Sequence, residues 1–189
     1  MRDMMQELLR RLRPQALVRR LAGDSAGVSA VEFALILPIM LVLLFGGIEV
    51  TDALTVQRKV THVTSTLSDL IAQSKTISAS EMDDILEASA AVITPYSDAK
   101  LKIKLTGVTI DANGKATVAW SRAKNDTAYT EGAAITLPTT VIEPSSFIVT
   151  GEVHYDYTPV VGYVMTGTFD LSDEFYLRPR LGTSIQYTG

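Results

Sequence analysis

Residues 27–49 read GVSAVEFALILPIMLVLLFGGIE, and the fold turns on how this stretch is read. Apart from Ser29 and Glu32, nothing from Val28 to Ile48 is strongly polar. As a helix these residues extend about 31 Å, close to the thickness of a bilayer's hydrocarbon core. A secretory apolar core is about 7–15 residues long, so the run exceeds what export alone requires. Glu32 lies roughly one turn inside it. An ionisable group costs about 2.5–3.5 kcal/mol at a bilayer centre and less near an end, so its presence here asks for a partner.

Upstream, residues 1–27 carry six arginines against three acids (Asp3, Glu7, Asp24), a local +3 that leaves −7 for the rest of a chain whose total is −4. A basic flank resists translocation. The expected topology therefore keeps residues 1–27 in the cytoplasm and puts everything after about residue 50 on the far side. The leader MRDMMQELLRRLRPQALVRRLAG reads either as a basic amphipathic segment on an anionic membrane, interrupted by Pro14, or as a solvated topogenic tail. The chain, 189 residues long, has room for one membrane helix and one modest domain. It has no cysteine, which excludes disulfides and thiolate chemistry. The acidic balance of the exported part argues against nucleic acid as a partner.

Downstream, Val56, Val60, Val63, Leu67, Leu70 and Ile71 recur at steps of three or four, with no Pro or Gly between Glu49 and Ser74. The membrane helix is expected to continue as a stalk whose apolar stripe needs a partner. Glu49 and Asp52 are read as marking the exit into water. Ser78-Ala79-Ser80-Glu81 fits a capping box opening a second helix (Met82, Ile85, Leu86, Val92) that Pro95 ends.

From Lys100 the period becomes two. Leu101, Ile103 and Leu105 alternate with lysines, and Asp111–Lys115 (DANGK) supplies a turn before a second strand, residues 116–122, containing Trp120. Residues 124–145 read as a loop with a short extended piece at residues 134–137. Residues 147–157 and 174–181 read as further strands, with Pro179 suggesting an edge or bulge. The expected architecture is α+β. It comprises a basic cytoplasmic leader (1–27), a transmembrane helix (28–50), a helical stalk (51–95) and a small antiparallel β-rich extracytoplasmic head (96–189).

No catalytic constellation, Walker A or dinucleotide fingerprint occurs, and the chain is expected not to be an enzyme and to need no cofactor. His62 and His154 sit in different elements without metal-ligand spacing, so no metal site is expected. Asp83-Asp84 reads as a solvated face. The DANG turn at residues 111–114 fails the calcium-loop pattern. Tyr155, Tyr157 and Tyr163 flank Pro159 and serve either as a binding face or as packing.

Gly27, five residues before Glu32 and followed by the Glu32-Phe33 pair, resembles the processing site of type IV pilin-like proteins of the tight-adherence branch (G/XXXXEF). The wider AVEFALILPIMLVLLFGGIE is similar to the TadE/TadG-like family of pilus assembly proteins, as is FYLRPRLGTS at residues 175–184. The resemblance covers residues 26–55 well and the head only loosely.

It implies cleavage between Gly27 and Val28 by a prepilin peptidase, leaving Glu32 fifth in the mature chain. There Glu32 would pair with a neighbouring subunit's new N-terminal amine and set axial register, with Phe33 beside it. Pro38 would kink the helix for packing. Implied partners are the peptidase, other pilin or pseudopilin subunits, the inner-membrane assembly platform and the lipid bilayer. The chain's length points to the shorter TadE-like type.

Two alternatives stay open. Ser29-x-x-Glu32 also reads as a capping box, with Gly27 an ordinary linker residue. The whole chain also reads as an uncleaved bitopic protein whose head binds a ligand or peptidoglycan.

Overall fold

The computed structural model describes residues 25–189; up to residue 24 the expected leader lies outside the described residues. The described residues divide into two units, with the boundary between Gly47 and Ile48. One helix, α1 (Ser25–Ala72), continues from the first into the second and passes through Pro38 without interruption.

In the first unit the apolar side chains of α1 stand exposed around its circumference, among them Val28, Phe33, Leu35, Ile39 and Leu43. A helix that is apolar all round is stable only inside a core or a membrane. By length and composition α1 is a candidate membrane span.

The second unit is α+β. Four antiparallel strands lie in the order β3-β2-β4-β5: β2 (Leu101–Ile110), β3 (Ala116–Lys124), β4 (Ser146–Tyr157) and β5 (Phe169–Leu177). A parallel ribbon, which the sequence did not suggest, joins β1 (Thr76–Ser78) to β6 (Gln186–Thr188). The stripe of α1 finds its partner in the sheet. Val56, Val60, Val63, Leu67 and Ile71 share one core with Leu101, Ile103, Leu105, Val149 and Val153. Each fully buried aliphatic side chain contributes about 1.5–3 kcal/mol before entropy is counted. Leu70, expected in the stripe, lies outside it and is exposed.

Helix α2 (Ala79–Ile93) begins at the capping box as the sequence predicts. The Glu81 N–H donates to Ser78 Oγ at 3.3 Å, and the Ser78 N–H donates to Glu81 Oε2 at 2.8 Å. Its C-terminal carbonyls are met by Lys59 Nζ, which donates to Val92 O at 3.2 Å and Thr94 O at 2.6 Å; a cation there complements the helix dipole. Met82, Leu86 and Ile93 enter the same core.

Strand β3 serves two cores. Gly107 pairs with Trp120 and Val108 with Val118, so Ala119 is an extra residue, a bulge. Four residues apart, Ala116 and Trp120 would share a face in an unbroken strand. Instead Trp120 joins the core beneath the helices, and Ala116 joins a second cluster with Val108, Ile110, Leu137 and Ile148. The indole occupies the space that a side chain on Gly107 would need. The extended piece expected at residues 134–137 covers this second cluster and bridges β3 through Ala134 and Thr117.

The strand expected at residues 174–181 is displaced: β5 starts at Phe169 and stops at Leu177. Its start is set by full pairing with β4, from Tyr157↔Phe169 to Val149↔Leu177. Its end is set by Pro179, which has no N–H to give a ladder, and by Arg180, whose N–H is used elsewhere.

Candidate functional site

The residues singled out in the apolar run all lie on α1. The Gly27–Val28 bond is inside the helix, and a Cβ at Gly27 would meet nothing within 4 Å. Glu32 and Phe33 are exposed among exposed apolar neighbours. Ser29 is helical, so the Ser29-x-x-Glu32 capping box does not form the start of this helix. Pro38 contributes no N–H, and the helix carries on past it.

The expectation that Glu49 and Asp52 stand in water is corrected for Glu49, which is buried, and Asp52 is half-buried. Glu49, the first residue after the apolar run, is only 2% exposed. A carboxylate taken out of water needs donors, and the connection between β4 and β5 provides three in succession. Oε1 accepts from the Tyr163 N–H at 2.9 Å, and Oε2 accepts from Val164 at 3.2 Å and Met165 at 2.7 Å. Gly162 (φ 64°) allows the turn that aims these amides at one point.

One helical turn further, Asp52 is gripped by two phenols. The Tyr96 hydroxyl donates to Oδ1 at 2.7 Å and the Tyr157 hydroxyl to Oδ2 at 2.9 Å. The bond to Asp52, then burial, holds the Tyr96 phenol protonated up to about 12. Burial, then the same carboxylate, does so for Tyr157, also to about 12. Of the three tyrosines around Pro159, Tyr155 and Tyr157 are buried and Tyr163 is 78% exposed, so packing and surface roles divide between them.

The far end of α1 is held from residues 175–184. The Arg180 N–H donates to the Ala72 carbonyl at 2.8 Å, and the Arg180 guanidinium pairs with Asp69. Further along, the Ile185 carbonyl accepts the Trp120 indole N–H at 2.9 Å. The helix thus carries carboxylates (Glu49, Asp52, Asp69) that residues far along the chain engage. Sequence reasoning missed this set because a carboxylate on a helix after an apolar run carries no local sign of a distant donor. The one available hint was the spacing of Glu49 and Asp52, one turn apart on the side that continues into Val56.

Elsewhere His154 Nδ1 lies 2.9 Å from Asp170 on the solvated side of the sheet, next to the Lys102–Asp156 pair. His62 is exposed on α1.

Against protein-family models, residues 27–67 match the model described as TadE-like protein. The match agrees with the resemblance carried by Gly27, Glu32, Phe33 and the apolar run, and it extends that resemblance past residue 55 along α1. Residues 175–184 lie outside the matched segment. No curated protein and no solved structure matches the chain.

Proposed function

We propose that this chain, whose residues 27–67 are TadE-like, is a minor pseudopilin-like component of a Tad-type (tight-adherence) pilus or secretion assembly. It is anchored by one helix in the bacterial inner membrane, with its N-terminus cytoplasmic and its head outside. One observation carries the reading: the family match coincides with a helix whose residues 28–48 present apolar side chains all round and a single carboxylate, Glu32.

On this reading the chain is structural rather than enzymatic. A prepilin peptidase cuts between Gly27 and Val28, and Glu32 then meets the new amine of a sibling subunit. Each charge is costly alone in an apolar setting and less so when paired. The family match supports the association with Tad pili; processing and register are inferred from the position of Glu32.

The test is the N-terminus and intact mass of the protein purified from membranes of a host with its own processing peptidase. A chain starting at Val28 is expected. One starting at Met1 and fully membrane-bound sinks the processing step and favours an uncleaved anchor with a ligand-binding head.

A further inference from the structure

The connection between β4 and β5, residues 158–168 (TPVVGYVMTGT), has no charged side chain. Val160 is 91% exposed and Tyr163 78%, with Val161 and Val164 each 45% exposed. Among the described residues, nowhere else in the head do four large apolar side chains stand exposed within five residues of chain. Patches of this kind mark binding surfaces, and the position of this one identifies the partner. Its backbone is fastened to Glu49 by three hydrogen bonds, and Glu49 directly follows the apolar run that ends at Ile48. We propose that residues 160–164 form a second membrane contact, a loop seated in the interfacial layer of the same bilayer that α1 crosses.

Three features suit it to that layer. Valines give apolar area without charge. Tyrosine is favoured at membrane interfaces because its ring is apolar and its hydroxyl is wet. The third is the backbone. A loop entering a poorly hydrated layer must have its N–H groups satisfied internally, since each bare one is costly. Glu49 satisfies those of Tyr163, Val164 and Met165. In this account the buried carboxylate lowers the cost of bringing the amides of residues 163–165 into the interfacial layer, and so gives a use to an acid that stands at the end of an apolar run and is covered rather than solvated.

The proposal rests on the anchoring part of the reading above, not on the pilus or on processing. The absence of cysteine makes the test direct. The full chain is reconstituted at high lipid-to-protein ratio in phosphatidylethanolamine–phosphatidylglycerol vesicles. Single nitroxides are placed through Val160→Cys, Tyr163→Cys, Leu43→Cys in the apolar run and Ala112→Cys in the exposed turn before β3. Emission of the lone, buried Trp120 confirms a native head in each variant. Collision with oxygen and with a water-soluble nickel chelate is then measured.

At 160 and 163 the expected result is nickel accessibility several-fold below that at 112, with oxygen accessibility shifted towards that at 43. Labels at 160 and 163 that resemble 112 overturn the loop contact while leaving the anchor intact. Labels shielded from both reagents place a protein neighbour there instead, and also overturn it. A label at 43 that behaves like 112 removes the anchor and the proposal together.

Discussion

The Tyr157 hydroxyl donates to Asp52 Oδ2 at 2.9 Å, joining residues 105 positions apart. Tyr96 completes the pair from the other side of the same carboxylate. The part of α1 around Asp52 is therefore fixed by two side-chain bonds, one of which closes only when β4 is in place.

Asp52→Ala is expected to destabilise the head by about 1–3 kcal/mol, the usual cost of stranding buried hydroxyl partners. Thermal unfolding followed through Trp120 measures it. In a double-mutant cycle with Tyr157→Phe the losses should be non-additive. Simple additivity would mean that the bond does not act in solution.

The phenols of Tyr96 and Tyr157 titrate near 12 rather than at the ordinary 10. A group whose folded value is raised stabilises the fold fully below its unfolded value and loses that contribution as pH climbs through the folded one. Stability should thus decline between about pH 10 and pH 12. Tyrosinate absorbance against pH should show fewer late-titrating phenols in Tyr96→Phe and Tyr157→Phe than in the parent. An unchanged curve contradicts the pairing.

A Cβ at Gly151 on β4 would collide with Ser68 Oγ on α1. Gly151→Ala should cost about 1–3 kcal/mol through overpacking. Ser68 Oγ is buried with no hydrogen-bond partner among the described residues, so Ser68→Ala should be near neutral alone and should rescue Gly151→Ala. Chemical denaturation of the four proteins decides; failure of rescue rules out this contact as the cause.

Glu32→Ala should leave membrane insertion unchanged, because removing a charge from an apolar run lowers the cost of entering lipid. Co-purification with sibling pilin-like subunits from the native host should drop several-fold. Recovery equal to that of the parent would show that Glu32 does not serve assembly.

Much of this architecture is legible locally. The capping box at Ser78 and Glu81, the DANG turn, and the alternation of Leu101, Ile103 and Leu105 with lysines each depend on neighbours within a few residues. The membrane-length run and the Gly27–Glu32–Phe33 spacing are equally local. What was missed involves partners distant in sequence. Glu49 looked solvated because its donors are backbone amides more than a hundred residues away, and backbone amides leave no mark in a sequence. The start of β5 at Phe169 was hidden because FDLSD carries two aspartates on an outer strand, a polar pattern that resembles a loop until β4 pairs with it. The bulge at Ala119 was equally invisible, since it is the demand for Trp120 beneath the helices that displaces the register.

The β1–β6 ribbon bears on the order in which the molecule is made. β1 leaves the ribosome early, and its ladder partner, residues 186–188, arrives after all four strands of the main sheet. The Ile185 carbonyl that receives the Trp120 indole arrives at the same late moment. A nascent head stopped short of residue 185 therefore has the strands of its main sheet but lacks the ladder partner of β1 and the carbonyl that accepts the Trp120 N–H. The ribbon closes the head only after the chain of all four main-sheet strands is available.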